Sequence, residues 1–158
     1  MISFRNISHK DISKVSNLRM LLLNNPNSHY GSNNVEELNN IKNAFCDWLK
    51  INIENTNTNI VISMNDEGVL TSMGIGIIDN RAPIKGSLSG KVGWISSLIV
   101  HPDFQNNGLG KETLAHLIEW FSEKSVNKIT LQSTEHGEKL YEKMGFNKSI
   151  ENTFIKEC

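Results

Sequence analysis

The sequence predicts an α+β fold built around one mixed sheet. Apolar periodicity changes along the chain in the order β, α, α, β, β, β, α, β, α, β, and this mixed order favours helices packed on a single sheet. The chain has 158 residues, of which 38% are hydrophobic, and this is the size of one domain with one core. We therefore expect residues 1–158 to form a single domain.

Two helices are expected in the first third of the chain. Ser8 followed by Asp11 is typical of a capping box, and the helical spacing after it ends where the polar loop 24–33 begins. Asn34 is placed to start the second helix. The apolar stripe of that helix consists of Leu38, Ile41, Phe45, Trp48 and Leu49.

The middle of the chain is expected to form strands. Residues 60–64 and 69–78 flank a Gly-containing turn and predict a hairpin, and a third apolar strand over 92–100 is followed by Pro102. From Gly108 the spacing of apolar residues predicts an amphipathic helix.

The last part of the chain is expected to close the sheet. Residues 128–131 predict a short strand, and Ser133 and Thr134 can both cap a brief helix that ends at Gly145. From Phe146 onward the tail is expected to form one bent strand or two short ones.

Composition argues against several classes of function. The formal net charge of -1 gives no general attraction to nucleic acid or to an anionic membrane. No apolar stretch approaches the ~20 residues of a membrane span, and no signal peptide is visible. The cysteines Cys46 and Cys158 cannot form a disulfide framework, and the scattered histidines lack metal-ligand spacing. We expect a cytoplasmic protein that binds neither nucleic acid, membrane nor metal.

The segment Gln105–Gly110 lies between an expected strand and an expected helix. Gly108 and Gly110 remove side chains where the backbone turns, and the free amides of a helix start suit phosphate oxygens. Alternatively, both glycines only shape a tight turn. A nucleotide-binding P-loop does not fit, because Glu112 stands where its magnesium-binding hydroxyl should be. A dinucleotide fingerprint fits poorly, because Gln105 replaces its first glycine.

Two segments, in order, resemble motifs of one family. Residues Val100–Gly110 resemble the acetyl-CoA-binding motif of the GNAT N-acetyltransferases, and Leu140–Phe146 resembles the family's Leu-Tyr-x-x-x-Gly-Phe segment. The resemblance implies the GNAT fold, with a mixed, mostly antiparallel sheet that splays between its fourth and fifth strands and carries helices on both faces. It also implies acetyl-CoA, or another acyl-CoA, as the co-substrate.

The resemblance further implies which residues bind that co-substrate. The pyrophosphate would lie on backbone amides, and the pantetheine arm would pair with the unpaired edge of the motif strand at Ile99 and Val100. A backbone N–H at the strand end, by position that of Val100, would polarise the thioester carbonyl. Thr134 would contact the pantetheine, although a helix cap is an equal alternative for it. The co-substrate residues are Leu98, Ile99, Val100, Gln105, Asn106, Asn107, Gly108, Leu109, Gly110, Lys111 and Thr134.

Tyr141 is the candidate general acid. Its pKa is normally near ~10, so the phenol can give a proton to the leaving thiolate of coenzyme A. Without the resemblance, a core tyrosine would be the better interpretation. Many family members carry an acidic residue where this chain has Ser96 and Ser97, so the general base is unassigned. His101, Glu135 and His136 are the titratable groups nearby in sequence.

The function expected from these features is transfer of an acetyl group from acetyl-CoA to a primary amine, by direct attack in a ternary complex. Two alternatives are a non-catalytic acyl-CoA-binding or sensing module and a nucleotide-binding domain of another fold. In the family, the acceptor site is shaped by segments equivalent to Asn24–Asn34 and Asp79–Lys91. These segments are not strongly acidic, so a polycationic acceptor is not indicated. The acceptor can be a small molecule or a peptide, and the expected C-terminal strand offers an edge for a homodimer.

Overall fold

The computed structural model describes residues 1–25 and 28–158. Pro26 and Asn27, which belong to the loop expected at 24–33, lie outside the described residues. The strands are β1 (Ile2–Asn6), β2 (Thr58–Asn65), β3 (Leu70–Asn80), β4 (Lys91–Val100) and β5 (Ile129–Leu131). The α-helices are α1 (Ile12–Leu23), α2 (Val35–Asn52), α3 (Leu109–Glu123) and α4 (Glu138–Lys143).

The described strands form one sheet in chain order, β1-β2-β3-β4-β5. The first four are antiparallel neighbours, while β5 runs parallel to β4 because α3 carries the chain back across the sheet. The expected hairpin, the expected strand–helix–strand unit and both early helices are confirmed. Asn34 caps α2 as predicted, since its side chain accepts a hydrogen bond from the Glu37 amide at 3.1 Å.

The helices cover both faces of the sheet and enclose two apolar cores. On one face, α1 and α2 bury a cluster that includes Leu18, Leu49 and Ile62. On the other face, α3 buries a cluster that includes Leu117 and Phe121. Because helices pack on both faces of the sheet, the central strands need buried residues on both faces. This is why β2 and β3 are buried along most of their length.

A partly buried ion pair joins β1 to the start of α1. The two terminal nitrogens of Arg5 donate to the two carboxylate oxygens of Asp11 at 2.7 and 2.8 Å. The backbone amide and the hydroxyl of Ser8 also donate to Asp11, at 2.9 and 2.8 Å. Asp11 is only 3% exposed, so its charge depends on these donors. They hold the pKa of the Asp11 carboxyl well below its usual range, chiefly through Arg5.

The expected C-terminal strand is wrong. The tail after Lys143 forms no regular element in the described chain, and Ile150, Phe154 and Ile155 are 99%, 93% and 83% exposed. A strand needs a partner ladder, and β5 is only three residues long. The outer edge of β5 instead borders an open hollow of about 660 Å³ that the tail lines with Asn147 and Lys148.

Among the described helices, none has both the length and the apolar character that a bilayer crossing requires.

Replacing Asp11 with Asn should lower the free energy of unfolding by about 1–3 kcal/mol at neutral pH, because Arg5 loses its charged acceptor. The depressed pKa of Asp11 stabilises the fold fully above the unfolded value of ~3.9, and this contribution is lost as the pH falls through the folded value. In denaturant titrations, the gap between wild type and Asp11→Asn should therefore shrink below pH ~4. Asp66→Asn is the control, since that carboxylate pairs with the N-terminus at the surface. A gap that stays constant to pH 3 would contradict the assignment.

Candidate active site

The site is organised by a bulge in β4. Ile75 of β3 pairs with Ser97 and the next residue, Gly76, pairs with Ile95, so Ser96 is an extra residue in the ladder. Its effect is visible in the backbone hydrogen bonds. Gly93 donates toward the β5 side, to Lys128 at 2.8 Å, whereas His101 donates toward β3, to Thr71 at 2.9 Å. In a regular strand, two residues separated by an even number would donate to the same edge.

The bulge therefore decides which amides face the open edge. β5 pairs with β4 only at Gly93–Ile95, so the sheet parts after Ile95 and the stretch 96–100 has no neighbour on that side within the described chain. Counting back from His101, the alternation directs the N–H groups of Leu98 and Val100 to the open edge and that of Ile99 to β3. Of the two residues expected to pair with the pantetheine, Val100 thus presents its amide to the gap and Ile99 does not, because the bulge turns the Ile99 amide toward β3; the amide of Leu98 faces the gap instead.

The Gly-containing loop at 105–110 follows β4 after a short 3-10 turn, Pro102–Phe104, and supplies a second set of free amides. Asn106 and Gly108 have positive φ values of 64° and 79°, and Gly108 caps α3 without a side-chain hydrogen bond. After Gln105, the next amide along the chain that donates to a backbone carbonyl is that of Glu112, to Gly108 at 3.1 Å. Within the described residues, the amides of 106–111 have no acceptor. They lie at the positive end of a 15-residue helix, which is a suitable place for phosphate oxygens.

A chain of buried hydroxyls holds α3 against the sheet. Thr113 donates to the Leu109 carbonyl at 2.7 Å, and its oxygen is 2.7 Å from that of Ser72. Ser72 in turn contacts Ser63 at 2.6 Å, and Ser63 contacts Thr71 at 2.7 Å. A carbonyl can only accept, so every proton must point the same way, from Thr71 through Ser63, Ser72 and Thr113 to the first turn of α3.

Gly74 makes this close approach possible. A Cβ atom at Gly74 would lie 2.9 Å from both the Thr113 methyl group and the Leu117 side chain. Such a contact is too short for carbon atoms, so a larger residue would push α3 away from the sheet. The loop at 105–110 would move with the helix.

A cavity of about 230 Å³ lies at the gap between β4 and β5. Its wall includes Ser97 and Leu98 of β4 together with Thr134 and Tyr141, so residues far apart in the sequence line one cavity. Burial raises the pKa of the Tyr141 phenol. No hydrogen bond within the described chain engages that hydroxyl, and the ring packs edge-on against Phe146 at 6.0 Å between centroids.

Other expected residues lie around this cavity in different ways. Thr134 occupies the N-cap position of a 3-10 turn, but its side chain makes no capping hydrogen bond. His101 uses its Nδ1 atom to accept from the Asp103 amide at 3.2 Å. Glu135 and His136 lie in the exposed 3-10 turn. None of these three titratable residues lines the cavity.

Sequence reasoning missed several residues of the cavity wall, and Arg19 and Tyr30 are the two with polar groups on large side chains. Tyr30 belongs to the segment expected to shape an acceptor site, and it was not singled out. Arg19 falls four residues after Val15, on the apolar face of α1, and a charged residue on such a face was the available signal. Elsewhere in the described chain, no group of three or more His, Cys, Asp or Glu residues could hold a metal ion.

Comparison with known proteins identifies relatives of this chain. Residues 21–146 match the acetyltransferase (GNAT) family. An uncharacterized N-acetyltransferase, ycf52, of Pyropia yezoensis is 30% identical over 97 residues, which are 61% of this chain and 53% of that protein. The corresponding protein of Gracilaria tenuistipitata var. liui is 36% identical over 52 residues, 33% of this chain and 29% of the relative. The chain thus spans about half, or less, of these curated relatives.

Solved structures share the fold. A predicted acetyltransferase with acetyl-CoA from Clostridium acetobutylicum has a TM-score of 0.85 and 20% identity, and the match covers 99% of this chain and 96% of that one. The aminoglycoside N-acetyltransferase AAC(6')-Iy in complex with CoA has a TM-score of 0.77 and 16% identity, over 99% and 95% of the two chains. The fold class implied by the sequence motifs is confirmed.

Replacing Thr113 with Val should remove the acceptor of the Ser72 hydroxyl and leave that donor buried without a partner. We expect a loss of about 1–3 kcal/mol in the free energy of unfolding, measured by denaturant titration. Thr113→Ser is the matched control, because it keeps the hydroxyl and removes only a methyl group. If Ser destabilises as much as Val, methyl packing and not the hydrogen bond is the stabilising contribution.

Proposed function

Because the chain belongs to the acetyltransferase (GNAT) family, we propose that residues 1–158 act as a single N-acetyltransferase domain, an acyltransferase that moves an acetyl group from acetyl-CoA to a primary amine. One observation carries the proposal. Leu98 of the open edge of β4 and Tyr141 line one cavity in the split between β4 and β5, and Gly110 of the loop with free amides lies against Val100 and against Leu140, the neighbour of Tyr141 in α4.

The donor would be held mainly by backbone. Its pyrophosphate lies on the amides of the loop and the first turn of α3, where the helix dipole favours negative charge. Its pantetheine arm takes the place of the missing strand beside β4 and pairs with Leu98 and Val100. Gly110 is next to Val100, since a Cβ atom there would lie 3.6 Å from a Val100 methyl carbon. The two binding segments are therefore continuous.

The reaction is a direct displacement at the thioester. The amine nitrogen attacks the carbonyl carbon, and the N–H of Val100 stabilises the negative charge that develops on the carbonyl oxygen. The tetrahedral intermediate collapses by breaking the C–S bond. Tyr141 gives its phenolic proton to the departing sulfur, and its raised pKa keeps it protonated at neutral pH. The products are the acetylated amine and coenzyme A.

The attacking amine must also lose a proton. The described residues that line the cavity include no Asp, Glu or His, and Ser96 and Ser97 are not bases at neutral pH. The cavity is open, so we propose that the amine enters in its neutral form and releases one of its two protons to water after attack, and that water returns a proton to the Tyr141 phenolate once the thiolate has been protonated. The rate should then depend on the fraction of neutral amine in solution.

We also propose that the protein is cytoplasmic and forms a homodimer. Cys46 and Cys158 are free thiols, which suits the reducing cytoplasm. A homodimer would cover exposed apolar residues of the tail, such as Ile150 and Phe154.

Titration calorimetry should show that acetyl-CoA binds with equal affinity in buffer with and without EDTA, because backbone amides and no metal hold the pyrophosphate. ATP is the control ligand, since this chain lacks the magnesium-binding hydroxyl of a P-loop. Tight ATP binding with no affinity for acetyl-CoA would overturn the proposed function. A tenfold loss of acetyl-CoA affinity in EDTA would contradict metal-free binding.

Tyr141→Phe should reduce kcat by about 100-fold or more while the affinity for acetyl-CoA is unchanged, because only the proton donor is removed. The release of coenzyme A thiol measures the rate. The matched comparison is Tyr30→Phe, which removes the same atom from the other tyrosine of the cavity wall. A larger fall in kcat for Tyr30→Phe would assign the proton transfer to Tyr30. Unchanged turnover in Tyr141→Phe would overturn the role of Tyr141 as proton donor, whereas a wild type that binds acetyl-CoA but shows no turnover with any amine would favour a binding module over an enzyme.

A further inference from the structure

Arg19 is the one charged side chain among the described residues of the cavity wall. It projects from α1 and is half-buried. Its guanidinium carbon lies 4.5 Å from the centre of the Phe45 ring, and Phe45 is 8% exposed. Stacking on a fixed ring orients the planar guanidinium and leaves its N–H groups free to bind a ligand edge-on.

The guanidinium of Arg19 differs from the two others in the chain. Arg5 binds Asp11 through two hydrogen bonds, and Arg81 binds Asp79 at 3.0 Å. Arg19 forms no hydrogen bond or ion pair with any acceptor in the described part of the chain. Arg19 is half-buried, so its charge is partly removed from water; this burial lowers the pKa of the guanidinium, yet arginine stays cationic. A desolvated cation without a partner costs stability, and such a cost is typical of a binding group.

The charge of the cavity wall favours some acceptor amines over others. Arg19 adds a positive charge, and no acidic residue in the described wall balances it. A polycationic amine would meet a like charge and find no carboxylate to bind. An amine that also carries an oxyanion would instead neutralise Arg19, and a carboxylate or a phosphate matches the planar pair of N–H donors.

The cavity beside Arg19 is small, and Tyr141 separates it from the hollow of about 660 Å³ at the outer edge of β5, which Tyr141 also lines. About 230 Å³ is less than the ~300–1,000 Å³ of pockets for drug-sized ligands. Leu22, Leu23 and Ile95 make part of the wall apolar. The site therefore suits a compact molecule with one anionic end.

We propose that the acceptor is a small primary amine bearing a carboxylate or a phosphate, and that Arg19 binds this oxyanion and so directs the amine toward the thioester. The inference rests on the proposed function and deepens it by naming the acceptor class. Arg19 makes its contact with the acceptor, not with the donor.

The test compares amines that differ only in the anionic group. One arm pairs the common amino acids with their carboxamides, and a second arm pairs amino-sugar phosphates with the unphosphorylated amino sugars. An aminoglycoside serves as the polycationic comparison. We expect kcat/KM, followed by coenzyme A thiol release, to be at least tenfold higher for the anionic member of one arm, and that arm identifies the oxyanion as carboxylate or phosphate.

The variants Arg19→Met and Arg19→Lys connect the preference to this side chain. Methionine keeps an apolar contact with Phe45 and removes the charge, so KM for the anionic amine should rise at least tenfold while kcat/KM for the neutral member is unchanged. Lysine keeps the charge without the planar pair of donors and should retain part of the preference. A preference that persists in Arg19→Met, or a panel in which only neutral or polycationic amines react, would overturn the inference.

Direct binding separates this inference from the proposed function. Calorimetric titration of the preferred anionic amine into the wild type and Arg19→Met needs no transfer reaction. Binding that requires Arg19, in a protein with no affinity for acetyl-CoA, would support the oxyanion site and overturn the acetyltransferase. Normal acetyl-CoA affinity with amine binding that is equal in both proteins would leave the acetyltransferase standing and overturn the oxyanion site. Thermal unfolding of both proteins shows whether Arg19→Met is folded.

Discussion

The site depends on one irregularity in the sheet, the extra residue at Ser96 in β4. Without it, Ile95 and Ile99 would point to the same face of the sheet, whereas here they belong to opposite cores. The bulge thus changes both the side-chain faces and the direction of the amides halfway along the strand. The first half of β4 joins β5, and the second half presents the amides of Leu98 and Val100 to open space.

The second constraint is the depth at which α3 packs. The hydroxyl chain and the missing side chain at Gly74 set the distance between this helix and the strands beneath it. Because the loop at 105–110 is continuous with α3, the position of the helix also sets that of the proposed phosphate site. The polar chain has all its protons directed toward Leu109, so each hydroxyl polarises the next and the chain strengthens cooperatively.

Periodicity and turn chemistry were sufficient to predict most elements, whereas the candidate site residues came from the resemblance of two segments to motifs of the GNAT family. They could not predict the bulge at Ser96, since two serines in a strand carry no signal for an extra residue. They also failed at the tail, where Phe146, Ile150 and Phe154 have strand-like composition but no available ladder. Arg19 was missed because a helix face was read for its apolar residues, and its significance depends on which carboxylates are absent around it.

The strand β5 pairs with β4 at only three positions, so few backbone hydrogen bonds hold the segment from β5 through α4 to the sheet. The segment from β5 through α4 is held mostly by side-chain packing of Leu131, Leu140, Tyr141 and Phe146 on the α3 face. Few backbone ladder bonds have to break for this segment to separate from the sheet, so we expect it to unfold locally at low cost. The phenol that would protonate the leaving thiolate lies on this weakly tethered segment, and amide hydrogen exchange would register its local opening.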